Sequence, residues 1–341
     1  RNAYSSAAEF GVSTAMPLYQ AYRLAPDAVF LQGSYQRYQE FSEQFFRILN
    51  RYTDTIEPLS LDEAFIDLTG FSQHYISPEH AAHSIRQDIR RELEITASIG
   101  IASNKITAKV ASESKKPNAV VYVPRGKEAD FLAPLHIRQL PGIGPRTAAY
   151  LRKERITTIG ELAALSADNV IRLFGQQGYR LWQLANGYDD SNVTAPGKAK
   201  SVSRSTTFPF DTADTAYIKS TMVSLLEQVC KTLRDREAYG HTLVVKIRTH
   251  DFSTKIKQCR LPQATNQSYD CYQRAAVLLR DLLDHTGKVR LVGVGMSDLE
   301  TESHQTTMFD NSFTKLKKIQ LAVDTIRNRF GFTAVHSGRT I

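Results

Sequence analysis

Apolar positions along the chain change period several times, and each change marks an element. Tyr38 to Tyr52 carries a helical pattern. Ile56 to Leu68 is instead apolar and strand-like, and is interrupted at Ser60-Leu61-Asp62-Glu63. Ser77 reads as an N-cap with Pro78 at the first helical position. Beyond it Ile85, Ile89 and Leu93 recur every fourth residue, so this helix lays one apolar face on a sheet while Arg86, Arg90 and Arg91 face away. Thr96 to Ala102 reads as a buried strand, Ser103 or Asn104 as an N-cap, and Lys105 to Lys115 as a helix with Ile106 and Val110 one turn apart. Lys116-Pro117-Asn118 ends that helix, because Pro disfavours helix in the residue before it and Asn tolerates a turn. Val120 to Val123 is the last strand of this first unit, which spans 1–124.

Residues 125–194 read as a small helical unit, with a Gly-rich turn at Leu140 to Arg146, a helix start at Thr158 and Trp182 in its core. Residues 195–203 are small, polar and basic, as in a linker. Then come a strand (Val202 to Phe208), a helix (Asp214 to Glu237), two strands (His241 to Thr249, Thr254 to Arg260), a helix (Gln267 to His285) and a strand (Val289 to Asp298). That order is a split βαβ arrangement over 204–300. A tail, 301–341, holds an amphipathic helix with Leu316, Ile319, Val323 and Ile326 on one face, expected to pack on the body. The fold class expected is α+β, multidomain.

Charge sharpens this outline. The 341 residues carry a net charge of +8, which favours a polyanionic partner. Between Lys198 and Arg260 twelve Lys/Arg face six Asp/Glu, which suits a nucleic-acid backbone, although a solvated basic surface has the same composition. Cys230, Cys259 and Cys271 are odd in number and lack a C-x-x-C spacing, so neither a disulfide framework nor a zinc site is indicated, and a cytoplasmic location is expected. No apolar run has the length that spans a bilayer. A monomer is expected.

Asp62 and Glu63 are the candidate chemistry. Neighbours in a regular strand point to opposite faces, so both reach one cation only if the backbone turns or bulges. Carboxylates so placed suit Mg²⁺, which is held by one or two of them together with substrate phosphates. An isolated Asp-Glu pair equally suits a solvated edge strand. Lys116, at an abrupt helix exit, can meet a triphosphate as a point charge. The turn containing Gly142, Gly144 and Arg146 resembles a helix-hairpin-helix motif, in which free backbone N–H groups and the helix dipole hold a DNA phosphate.

Taken together, SLDEAFIDLTG, SIGIASNKITAKVASESKKPN and LPGIGPRTAAYL closely resemble Y-family DNA polymerases of the DinB type, from about Phe10 to about Asp310. The resemblance implies translesion DNA synthesis with primer-template DNA, deoxynucleoside triphosphates and two Mg²⁺ ions. It makes Asp62 the second metal-binding aspartate, Glu63 the adjacent catalytic acid and Lys116 the grip on the nucleotide's phosphates. Ser13 to Pro17 resembles the fingers segment over the nascent base pair, 125–194 the thumb, and 204–300 the little finger. Lys200, Ser201 and Arg204 fall where that last domain would meet the template backbone. Gln305, Met308 and Phe309 resemble the peptide that docks bacterial polymerases in the sliding clamp.

Two departures stand beside the match. The family opens with a strand carrying its first metal-binding aspartate, followed by a steric-gate aromatic. This chain begins at Arg1, without an initiator Met, so a portion of roughly forty residues is expected to be missing. Alignment back from Phe10 also puts Ser5 and Ala8 where the family has a Tyr and an Arg for the triphosphate. The alternative these departures raise is a non-catalytic relative that binds DNA and the clamp.

Overall fold

The computed structural model describes residues 7–13, 15–70, 76–284, 286–301, 311–336 and 338, and the side chains of 311–317 lie outside that description. The chain divides into two compact units, Arg1–Pro196 and Gly197–Ile341.

The first unit opens with helices α1 (Leu18–Leu24) and α2 (Tyr35–Leu49). Helix α2 starts three residues before Tyr38 because Ser34 Oγ accepts from the Arg37 N–H at 3.3 Å and caps it there. The apolar stretch that follows is not one bulged strand. It is a hairpin of β1 (Ile56–Pro58) and β2 (Ala64–Ile66), paired Ile56↔Ile66, Glu57↔Phe65 and Pro58↔Ala64. Helix α3 (Pro78–Leu93) is capped by Ser77, as its sequence indicates. It buries Ile85, Ile89 and Leu93 against Ile48, Leu49 and Tyr52 behind α2 and Ile56 of the hairpin.

Strands β3 (Ile99–Ile101) and β4 (Val120–Tyr122) run parallel, joined by helix α4 (Lys105–Ser114) as the crossover that parallel pairing requires. Asn104 is the cap, its Oδ1 accepting from the Thr107 N–H at 3.0 Å, while Ser103 donates to Glu128. Helix α4 rests directly on the strand. A Cβ on Gly100 would sit 2.0 Å from the Ala108 carbonyl oxygen, so only glycine permits this approach. Helices α5 (Glu128–Leu132), α6 (Pro145–Lys153), α7 (Ile159–Ala163), α8 (Ala167–Phe174) and α9 (Gln176–Ala185) follow. Thr158 and Glu161 form a capping box at the start of α7. The core of these helices, with Leu132, Leu151, Ile159, Leu162 and Val170, also takes in Ile106 and Val110 of α4. Trp182 packs against it and donates Nε1–H to the Leu165 carbonyl at 2.8 Å. Helix α4 is therefore a wall shared by the hairpin side and the helical side.

The second unit holds β5 (Ser201–Thr212), α10 (Thr215–Asp235), β6 (Tyr239–Thr249), β7 (Thr254–Thr265), α11 (Ser268–Leu283) and β8 (Val289–Glu300). The sheet order is β5-β8-β6-β7, every neighbouring pair antiparallel. Each helical crossover thus passes over one intervening strand, which is the split arrangement expected from the element order. The first strand begins at Ser201, inside the stretch expected as linker. Val202, Leu243, Val245, Ile247, Val292 and Val294 of the sheet pack with Met222, Leu226, Val229 and Leu279 of the two helices.

Helix α12 (Asn311–Phe330) does pack on this unit, with Val323 of the expected face half-buried beside Val223 and Leu226, but the rest of its packed side is not the one expected. Ile319 and Ile326 are 51% and 41% exposed, whereas Asp324 and Arg327 are buried. Asp324 accepts two bonds from Arg234, at 2.6 and 2.9 Å, and Arg327 donates to Glu227 at 2.6 Å. Two charges moved out of water keep their partners, and that requirement sets the rotation of the helix. Leu316 has no described side chain.

Candidate active site and nucleic-acid interface

The turn between β1 and β2 carries Asp62 and Glu63. The Glu63 carbonyl accepts from the N–H groups of Leu59 and Ser60, at 2.8 and 3.2 Å, and closes the turn. Because the two acids sit on a turn, no bulge is needed to present both. Ser60 Oγ donates to Asp62 Oδ1 at 2.8 Å, while Glu63 Oε1 meets Lys109 Nζ of α4 at 3.1 Å. The same ammonium lies 3.1 Å from Glu113 Oε1, and Glu113 lies 3.7 Å from Lys116 Nζ. A chain of alternating charges therefore joins Glu63 to Lys116. Burial opposes the charge on Lys109, but bonds to Glu63 and Glu113 outweigh it and hold its pKa above the ordinary value.

One turn earlier on α4, Lys105 Nζ donates to Glu57 Oε2 at 2.7 Å and to the Asn192 carbonyl at 2.9 Å. The Thr194 N–H donates to the same Glu57 oxygen at 3.0 Å. This clasp ties residues 192–194 to the hairpin's first strand. The Lys105 hydrogen bond, with lesser help from the Thr194 N–H, lowers the pKa of Glu57 although burial works the other way.

The donor set at the turn fits a hard divalent cation: two adjacent carboxylates on a turn that leaves Asp62 exposed. Among the described residues no group of three or more His, Cys, Asp or Glu could hold a metal, so oxygen donors from a substrate suit this pair.

The Gly-rich turn has the backbone geometry its sequence suggests. Gly142 has φ +96°, open to glycine at little cost, and Gly144 caps α6 with Pro145 at the first position. No side chain caps this helix start, and nothing lies within 4 Å of where a Gly144 Cβ would stand. Arg138, Arg152 and Lys153 line a cavity of about 410 Å³ beside Pro145. These cations are not part of the motif, because they are spread over two elements.

On the sheet of the second unit, Ser201, Ser203, Ser205 and Thr207 share the face opposite the helices, while Val202 and Phe208 point into the core. Arg204 falls on the Val202 side, so it does not share a face with Ser201 as a single backbone contact would require. It stays exposed because β5 is an edge strand. The register gives the open face other cations. Lys246 and Arg248 of β6 and Arg260 of β7 lie there, with Gly293 of β8 opposite Lys246 and Gly295 opposite Val244. A Cβ on either glycine would sit 2.8 Å from a serine Cβ of β5, and this lane of the sheet is correspondingly flat. Strand alternation alone does not reveal the row, since pairing register decides which cations stand together. Lys200 is exposed just before β5. Gln305, Met308 and Phe309, like Ser5, lie outside the described residues.

Residues 2–113 match the impB/mucB/samB family, and residues 199–308 match that family's C-terminal domain. The chain is 40% identical over 335 residues to a DNA polymerase IV of Dehalococcoides mccartyi, covering 98% of this chain and 86% of the relative. The chain belongs to the Y family of DNA polymerases. A DNA polymerase IV of Desulfatibacillum aliphaticivorans is 38% identical over 327 residues, covering 94% and 82%. Among solved structures, a Y-family polymerase chimera of Dbh and Dpo4 matches with a TM-score of 0.76 and 26% identity, over 87% of this chain and 86% of that one. An insertion ternary complex of Dbh DNA polymerase matches with a TM-score of 0.60 at the same identity and coverage. Divalent metal ions are the general cofactor of this family, in keeping with the oxygen donors at the hairpin. Among the described residues no helix is long and apolar enough to cross a membrane.

Proposed function

We propose that this chain adds deoxynucleotides to a primer 3′ end opposite damaged template, with two Mg²⁺ ions. The observation that carries the reading is the Asp62–Glu63 turn, whose Glu63 is joined to Lys116 by one chain of alternating charges. Asp62 and Glu63 hold the metal, and Lys116 receives the triphosphate. Bound there, Mg²⁺ would favour deprotonation of the primer 3′-hydroxyl and neutralise charge on the departing pyrophosphate. The chain's own part is to fix the acids on a closed turn and to hold the lysine one helix away from them.

In this reading 1–124 serve as fingers and palm, 125–194 as thumb and 204–300 as little finger. Gly142, Gly144 and Arg146 take a DNA phosphate at the start of α6, and Lys200, Ser201 and the open sheet face take others. Arg204 contributes from the edge of β5. Gln305, Met308 and Phe309 dock in a bacterial sliding clamp, and the enzyme acts as a monomer in the cytoplasm. The non-catalytic alternative is not favoured, since the relatives that match over most of the chain are DNA polymerases IV.

The test is primer extension by the full-length gene product on an undamaged template and on one carrying an abasic site, with and without Mg²⁺. Metal-dependent extension past the abasic site is expected. Extension on the undamaged template alone would remove the translesion role, and extension without a divalent metal would remove the cofactor assignment.

A further inference from the structure

Lys109 stands at the centre of the charge chain, 3.1 Å from Glu63 and 3.1 Å from Glu113, with Glu113 reaching on to Lys116 at 3.7 Å. Its backbone has little freedom to move away. Helix α4 is pressed onto Gly100 on one side and buries Ile106 and Val110 in the helical core on the other. The ammonium is therefore held against the very carboxylate that is to receive a metal ion.

We infer that Lys109 is a positioning residue that weakens the hold of Glu63 on a divalent cation until a triphosphate is present, and so couples metal binding to nucleotide binding. The inference rests on the reading of Asp62 and Glu63 as metal ligands. A carboxylate whose charge is already matched by an ammonium attracts a second cation less, and the divalent ion is repelled by that ammonium at close range. A triphosphate reverses both effects. Its oxygens bring negative charge to the metal, and they draw Lys116 away from Glu113. Glu113 then has Lys109 as its cationic neighbour and pulls the ammonium from Glu63. A lysine that served only as a strut would have the opposite signature, because removing it would loosen Glu63 and weaken metal binding.

The experiment measures Mn²⁺ binding to the full chain, without DNA, by the electron paramagnetic resonance signal of the free ion. Lys109→Met keeps the aliphatic stem and removes the charge. It is expected to bind Mn²⁺ roughly five- to tenfold more tightly than the unsubstituted chain. Glu113→Gln leaves Lys109 to Glu63 alone and is expected to bind Mn²⁺ more weakly. The factor by which Mn²⁺ tightens the binding of a fluorescent deoxynucleoside triphosphate should shrink in Lys109→Met, since coupling is reciprocal. The metal–nucleotide complex that forms in solution is common to both proteins and cancels in the comparison. Unchanged or weaker Mn²⁺ binding by a folded Lys109→Met overturns the inference. If that variant does not fold, unchanged or tighter binding by Glu113→Gln overturns it instead. Glu63→Ala separates the two readings. If it leaves Mn²⁺ binding intact, the metal assignment fails and the inference with it; if it abolishes binding while Lys109→Met has no effect, the inference alone fails.

Discussion

Asp62 and Glu63 are neighbours on one turn, yet each is held by a different partner. Asp62 is oriented from within the turn by Ser60, and Glu63 from outside it by Lys109. The division extends to Glu57, whose carboxylate is shared by Lys105 and the Thr194 N–H. Glu57 titrates below the ordinary carboxylate range, first because Lys105 donates to it. Its contribution is therefore fully present above the unfolded pKa, about 4.3, and is lost as the pH falls through the lower folded value. Glu57→Gln should lower the melting temperature at neutral pH, and the gap from the unsubstituted chain should close in strong acid. Thermal melts of both proteins across that range check this. A gap that widens toward acid would contradict the clasp.

At the scale of elements, α4 decides the geometry. It lies on β3 because residue 100 is glycine, it shares Ile106 and Val110 with the helical core, and it offers Lys105 and Lys109 to the hairpin. Gly100→Ala forces a Cβ into the helix backbone and should cost about 1–3 kcal/mol, read as a shift of the urea midpoint. A midpoint unchanged by that methyl group would show that helix and strand are not in close contact. Much of this arrangement is legible in the amino-acid pattern. Ser77, Thr158 and the Ile85-Ile89-Leu93 stripe mark helices by local chemistry alone, and the order of elements in the second unit foretells its split topology. What the pattern does not reveal depends on partners distant in sequence. The Ile56–Leu68 stretch is apolar on both sides of the acids, so a hairpin and a bulged strand read alike. Ile319 and Ile326 face outward because Asp324 and Arg327 find partners on α10, 90 and 100 residues away in the chain. Lys109 carries no signal of its own, because a lysine on a helix is ordinarily a solvated charge, and only its two carboxylate neighbours distinguish it.

Across the whole molecule, the chain carries an excess of eight positive charges, which suits a polyanionic partner. Association with DNA should be largely indifferent to sequence and fall steeply with salt, because Lys and Arg displace condensed counterions. Replacing Lys246, Arg248 and Arg260 together by Ala should reduce the slope of log K against log salt by about 0.9 for each phosphate that is no longer neutralised, measured by fluorescence anisotropy on primer-template DNA. An unaltered slope would remove the open sheet face from the interface. The central claim, that Asp62 and Glu63 carry metal-dependent nucleotide transfer, is met most directly by single-turnover incorporation in the full-length gene product with Asp62→Ala and Glu63→Ala. Each variant should bind primer-template DNA as tightly as the unsubstituted protein, yet incorporate the first nucleotide at least about a hundredfold more slowly. Incorporation at the unsubstituted rate by either variant would contradict the account.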